Sequence, residues 1–328
     1  MSSRDDLETR EKNIRIFVRI LPLEKPCESC VRIDTDRKKI FVRCLQELQS
    51  NRIAVIKDPS YWCFRTDGIF LDASQEEVYR VSSKDLVSKV LNGTSCVLIG
   101  HGQTGSGKSF TLSGLRNNWE HRGLVSRILY DLFLERSNRR RTNKIQYHVS
   151  FVELHGKDAR DLLLFETENR IRINDRDPFK RPSHLECKGL MLKDISVIYV
   201  DNEEQALRKI FEGETERSIV KGSTYPDSHL ASAVITIHAS NASLIASGCV
   251  VATAKMHIVE MAGIGSPKSG WKSAADVGAA NLAKSQLQQF FSHFHGQSIP
   301  NAIRSSNLLK ILGADFPVSS LIRWLIKR

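Results

Sequence analysis

The residues best suited to chemistry in this chain run without a gap: Gly102-Gln103-Thr104-Gly105-Ser106-Gly107-Lys108-Ser109. Their spacing is G-x4-G-K-[ST], a glycine-rich turn ending on a lysine and a hydroxyl. Glycines let successive backbone N–H groups turn toward phosphate oxygens, and a helix opening at the end of the turn adds partial positive charge. Lys108 would then pair with the β- and γ-phosphates, and the Ser109 hydroxyl would ligate magnesium. These residue types in this order predict binding of a nucleoside triphosphate with Mg2+. Cys27 and Cys30 form a CxxC, but no second pair at zinc-finger spacing follows, so they read as structural or surface thiols in a reducing compartment.

Such a loop has to hang between a buried strand and a helix, and the flanking sequence supplies both. Cys96 to Ile99 is a fully apolar run, the pattern of a strand covered on both faces. Helical character resumes after Gly107 and again from Gly123 to Arg136. Elsewhere strand-like and helix-like segments alternate. Ile14 to Ile20 is a β-branched run stopped by Leu21-Pro22, and a helix is expected from about Asp72, where Ser74 and Glu77 form a capping box. Val78, Leu86, Val87 and Val90 give that helix an apolar face. Arg136 to Lys144 reads as an exposed basic loop, with strands expected at Tyr147 to Leu154, Ala233 to Ala239, Cys249 to Val259 and Val318 to Ile326. The middle two of these strands read as an antiparallel pair. Residues 201–217, Ala279 to Phe294 and Ser305 to Leu312 read as helices. The simplest architecture is a single α/β domain with a mixed sheet, helices on both faces, and no internal repeat.

Composition narrows the partners. The 328 residues contain 48 Lys+Arg against 37 Asp+Glu, a net charge of +11, with 41% hydrophobic and 26% charged residues. A packed core is expected, and global disorder is excluded. No apolar run approaches the roughly 18 residues that span a bilayer, and the polar, acid-bearing N-terminus is neither a secretory signal nor a transit peptide. The positive balance favours an acidic partner.

Once the loop is aligned, the chain resembles the kinesin motor domain over roughly residues 13–326. The stretch Gly102 to Gly114 looks like the kinesin phosphate loop, and further segments fall in kinesin order. Phe17-Val18-Arg19-Ile20-Leu21-Pro22 is similar to the segment that packs on adenine, although Leu21 stands where many kinesins carry a second basic residue. Asp67-Gly68-Ile69-Phe70 with Gln75, Val78 and Tyr79 matches the approach to the first long helix. Ser150-Phe151-Val152-Glu153-Leu154 with Asp161-Leu162-Leu163 resembles S-F-x-E-[IL]…D-L-L. Val259-Glu260-Met261-Ala262-Gly263 looks like the D-L-A-G of the second switch, and Arg304-Ser305-Ser306-Asn307-Leu308 is similar to R-D-S-K-L. His121-Arg122-Gly123 and Asp72-Ala73-Ser74-Gln75 resemble most the ninth kinesin family, found in cilia and flagella.

The resemblance implies a phosphate-loop NTPase fold over residues 13–328 after a polar tail, 1–12. It further implies ATP and Mg2+ as ligands, and location in the cytoplasm on the cytoskeleton, in a cilium or flagellum. Arg19, Pro22 and the loop from Gly102 through Phe110 would hold nucleotide, with Ser109 on the metal. Ser228, Glu260 and Gly263 are the surviving switch positions. Where kinesins read N-x-x-S-S-R-S-H, residues 225–232 match at Ser228; His229 replaces the magnesium-binding serine and Leu230 the switch arginine. The second switch carries Glu260 for aspartate and Gly265 for the glutamate that pairs with that arginine. Losing both partners leaves no lone buried charge but removes groups that position the attacking water, so hydrolysis is expected to be impaired.

Microtubules would be met by basic surface including Lys268, Lys272 and Lys284, with Lys157 and Arg160 as further candidates. With no heptad run and no segment left for the last helix and neck linker, either an incomplete gene product or a single head is expected. A non-hydrolysing, nucleotide-dependent microtubule binder or scaffold is the alternative. An unrelated phosphate-loop enzyme or nucleic-acid ATPase is disfavoured by the ordered kinesin-like segments.

Overall fold

The computed structural model describes residues 14–20, 31–43, 60–103, 105–155, 158–164, 187–188, 191–192, 195–219, 231–245, 251–263, 306–312 and 321–327, together with 278, 281–282, 284–285 and 288. The strands in chain order are β1 (Ile14–Ile20), β2 (Val31–Asp34), β3 (Lys39–Arg43), β4 (Tyr61–Arg65), β5 (Gly68–Leu71), β6 (Cys96–Gly102), β7 (Asn143–His155) and β8 (Asp158–Asp161). They continue with β9 (Cys187–Lys188), β10 (Met191–Leu192), β11 (Ile198–Val200), β12 (Ser232–Ser243), β13 (Val251–Glu260) and β14 (Leu321–Lys327). The helices are α1 (Gln75–Ser82), α2 (Lys84–Leu91), α3 (Lys108–Leu112), α4 (Leu124–Asn138), α5 (Glu203–Ile219) and α6 (Asn307–Leu312).

Nine strands make one mixed sheet in the order β11-β7-β12-β13-β6-β14-β1-β5, with β8 paired to β7. One half, β11 through β13, is antiparallel, and the other half is parallel from β13 onward. The parallel half matters for function, because it sends the ends of β6 and β13 to the same edge. Side chains alternate across the sheet. On β6, Cys96 and Leu98 enter the core beneath α1, α2 and α4, while Val97 and Ile99 enter a second core lined by Leu308, Leu309 and Leu312 of α6. Both faces of the strand are therefore covered, as its unbroken apolar run implies. Among the described residues no helix is long and apolar enough to cross a membrane.

The structure departs from the sequence reading at several places. The single helix expected from Asp72 is two: Ser74 caps α1 by accepting from the Glu77 N–H at 3.1 Å, but the chain breaks at Ser83, with φ near −138°. Ser82 bonds back to the Val78 carbonyl at 2.7 Å, and its hydroxyl lies 2.9 Å from that of Ser83. Serines that bond locally offer the backbone an alternative to the helix ladder. The basic loop is shorter than expected, since α4 runs on to Asn138 and β7 begins at Asn143. A separate three-stranded sheet, β2-β3-β4, has no counterpart in the sequence reading. Of the helix expected over 279–294, the described residues Asn281, Leu282, Lys284, Ser285 and Gln288 are helical.

Candidate nucleotide site

The phosphate loop leaves the end of β6 and opens α3. Gly105 and Gly107 have φ of 79° and 78°, a region that strains residues bearing a Cβ. A Cβ placed on Gly105 would meet nothing within 4 Å, so the loop borders open space. The buried Ser106 hydroxyl has no hydrogen-bond partner among the described residues. Lys108 is buried at 7% exposure, and its Nζ donates to the Gly102 and Gln103 carbonyls at 2.9 and 2.8 Å. Burial lowers its pKa, while the nearby Glu260 carboxylate pulls the other way. This ammonium is held by the loop itself and aimed along it.

A pair of oxygen-bearing side chains beside the loop comes from β13 and the start of α3. β13 runs parallel to β6 with Glu260 opposite Gly100, and the Met261 N–H continues the pairing by donating to the Gly100 carbonyl at 3.0 Å. That register delivers the Glu260 side chain to the start of α3, where the Ser109 hydroxyl donates to its Oε1 at 2.5 Å. A hydroxyl and a carboxylate side by side are hard oxygen donors of the kind Mg2+ takes. The open space at Gly105, the Lys108 ammonium and this oxygen pair suit a magnesium–nucleotide. Gly263 follows in a buried segment that begins at Met261 and is tied to β12 by the Ala262 N–H, which donates to Ser232 Oγ at 2.9 Å.

At the end of β1, Arg19 is 8% exposed. Its guanidinium donates to Gln75 Oε1 at 2.6 Å, Thr111 Oγ1 at 3.2 Å and the Ala73 carbonyl at 2.9 Å, and sits 5.6 Å from the centre of the Phe110 ring. Gln75 Nε2 donates in turn to the Phe110 carbonyl at 2.5 Å. Arg19 and Phe110 are thus brought together, and Gln75 is the bridge that fixes them. His101, just before the loop, has its pKa lowered to about 4 by burial and then by Lys108 and Lys284. It is neutral at physiological pH.

Sequence reasoning missed a buried charge cluster beside Glu260. Arg217 of α5 is 3% exposed. It lies 3.3 Å from Glu260, 3.2 Å from Glu214 and 3.7 Å from Glu153. Burial alone would lower this guanidinium; Glu260, Glu214 and Glu153 together raise it above its ordinary value. Burial pushes the Glu214 carboxyl up, against the pull of Arg217. Arg160, expected on the tubulin-facing surface, turns inward and pairs with Glu153 at 3.6 Å and Glu216 at 3.3 Å. That correction follows from β8 folding back on β7, which buries one side of the strand. Lys284 is exposed, as expected. Pro22, Thr104, Lys157, Ser228, His229, Leu230, Gly265, Lys268, Lys272, Cys27 and Cys30 lie outside the described residues.

The chain matches the model of the kinesin motor domain over residues 24–312. It is 30% identical over 252 residues to the kinesin-like protein KIF9 of Homo sapiens, covering 77% of this chain and 31% of that protein. It is 27% identical over 252 residues to the kinesin-like protein KLP1 of Chlamydomonas reinhardtii, covering 76% and 31%. The chain therefore spans about a third of the length of the curated relatives it matches. Among solved structures it superposes on a fast kinesin with a TM-score of 0.72 at 19% identity, covering 96% of this chain and 85% of that one.

Proposed function

Because this chain belongs to the kinesin motor-domain family, we propose that it is an ATP-binding, microtubule-binding motor domain with impaired hydrolysis. The observation that carries the nucleotide half is the 2.5 Å contact of Ser109 with Glu260 across the mouth of the phosphate loop. Lys108 would meet the β- and γ-phosphates once released from the Gly102 and Gln103 carbonyls. Ser109 and Glu260 would hold Mg2+, which neutralises charge on the transferring phosphoryl group. Arg19, Pro22 and Phe110 would pack against adenine. Ser228, Glu260 and Gly263 are the switch positions this chain keeps, with His229, Leu230 and Gly265 the losses. Residues 13–328 form the motor domain in this reading, preceded by a polar tail. Its place is the cytoplasmic cytoskeleton, with cilium or flagellum supported by the likeness to KIF9.

Tubulin, whose surface is acidic, would be met by Lys268, Lys272 and Lys284. Screening over about 10 Å at 0.1 M salt makes such binding steeply salt-dependent, and Lys284→Glu should weaken co-sedimentation further. Lys108→Ala should abolish nucleotide binding, since a charge-assisted contact to phosphate goes with it. Equal affinity in that variant would sink the nucleotide reading. Steady-state ATPase with and without microtubules tests the rest: turnover far below the roughly 1–100 s⁻¹ of ordinary kinases is expected, with little stimulation. Leu230→Arg together with Gly265→Glu should recover more than either alone. Robust stimulation of the unmodified protein would make it an active motor instead. Binding without any turnover would favour the nucleotide-dependent scaffold.

A further inference from the structure

We propose that Glu260 ligates the nucleotide-bound divalent cation directly through one oxygen, and that Arg217 is the residue that positions it. This rests on the nucleotide-site reading above. The first support is a distance. Magnesium holds six oxygens in a near-ideal octahedron at 2.0–2.1 Å, so neighbouring ligands stand about 2.9 Å apart. Ser109 Oγ and Glu260 Oε1 stand 2.5 Å apart. Separating them by about 0.4 Å places both on adjacent corners of one octahedron. An aspartate at position 260 would be shorter by one carbon–carbon bond, about 1.5 Å. Its carboxylate would fall back to a separation that a water bridges. The extra methylene of Glu260 therefore replaces a water with a protein oxygen.

The second support is what holds the carboxylate there. Glu260 Oε2 accepts from Arg217 Nη1 at 3.3 Å, so one oxygen is committed to the guanidinium while the other faces Ser109. Arg217 is itself fixed by Glu214 on its own helix and by Glu153 on β7. Glu214 accepts from Ser113 Oγ at 3.3 Å, just past the end of α3, and Glu153 is held by Arg160. The cluster ties four carboxylates, Glu153, Glu214, Glu216 and Glu260, to two guanidiniums, Arg160 and Arg217, while Lys108 acts on Glu260 and Arg116 on Glu214 from outside the ion pairs. Arg217 acts through Glu260 and is a positioning residue, not a ligand.

The test uses the whole chain with ADP and Mn2+ in place of Mg2+. Fluorescent ADP binding is measured first, then metal-bound waters are counted by electron spin echo modulation in D2O. Glu260→Asp is expected to carry one more coordinated water than the unmodified protein. Arg217→Lys, which keeps the charge and loses the fork, is expected to keep the water count and weaken Mn2+ affinity of the nucleotide complex about tenfold, the lower end for outer-shell partners. Equal water counts in the unmodified protein and Glu260→Asp overturn direct ligation. Unchanged Mn2+ affinity in Arg217→Lys overturns the positioning role. Absence of ADP binding by the unmodified protein removes the nucleotide-site reading, and this inference with it, before any water is counted.

Discussion

Gly213 sits inside α5, where glycine is a poor helix former, and replacing it with alanine sets two terms against each other. Propensity alone favours alanine by about 1 kcal/mol. A Cβ at this position, however, would lie 2.3 Å from Phe151 Cδ1 and 2.9 Å from Cε1. Phe151 is fully buried on β7, so its ring has no free space to enter. Relaxing that contact to the ordinary 3.5 Å or so requires α5 to back away by about 1.2 Å. Overpacking of this kind costs about 1–3 kcal/mol, more than the propensity gain in most of that range. The expected net result is a loss of about 1 kcal/mol, in a range of roughly 0–2 kcal/mol. Arg217 lies one turn on, on the same face of the helix, so the same displacement lengthens its 3.3 Å bond to Glu260. Urea unfolding of Gly213→Ala beside the exposed-site control Arg208→Ala measures the first effect, and Mn2+ affinity of the ADP complex measures the second. A Gly213→Ala protein as stable as the unmodified chain, or more so, would refute the close-approach argument.

Arg217→Met leaves Glu153, Glu214 and Glu260 without their shared cation in a buried site; about 3–5 kcal/mol should be lost in calorimetry, and Glu214→Gln in the same chain should restore part of it. Stability should also fall with acid through two histidines. Burial, then Lys255, lowers the pKa of His238 to about 4 and of His257 to about 3, with His148 and His238 respectively adding to the effect. Both folded-state values lie below the unfolded 6.5, so their contribution is complete above that pH and is lost as pH falls toward the folded values. At pH 5 this amounts to at most about 2 kcal/mol per histidine. Urea melts at pH 7 and pH 5 should therefore diverge less for His257→Asn than for the unmodified chain, and an equal pH dependence would count against it.

The parts of the fold that could be read from sequence are those where one local pattern decides the outcome. β1 has the bounds its β-branched run implies, and β6 is the continuous apolar stretch that a two-sided core requires. The Ser74 cap was equally visible, because the group it satisfies is three residues away. The break at Ser83 was not, since it depends on where two serine hydroxyls turn. β2 and β3 escaped notice for a different reason. Their residues Val31, Arg32, Ile33, Asp34 and Lys39 to Arg43 mix charge with apolar side chains, and they pair only with one another and with β4.

The candidate site divides the same way. A phosphate loop is written in consecutive residues, whereas the cluster around Glu260 is drawn from β7, β8, α5 and β13, and only the sheet order brings these together. In sequence, Glu214, Glu216 and Arg217 read only as the end of a helix over residues 201–217, and Arg160 as a candidate cation for an acidic partner. Their burial changes how the +11 net charge is to be used. Arg19, Lys108, Arg160 and Arg217 face inward and are matched to carbonyls or carboxylates, so they add little to the field an acidic polymer would meet. Of the cations in the basic loop and the candidate partner surface, Arg140, Arg141, Lys144 and Lys284 are described and exposed, alongside other exposed cations such as Arg37, Lys84, Arg116 and Lys255. Arg140, Arg141 and Lys144 flank the start of β7, whereas Lys284 is close enough to His101 to lower its pKa. Of these four, Lys284 is the cation whose charge reversal would be felt at the approach to the phosphate loop, and under the proposed function it would weaken microtubule association as well.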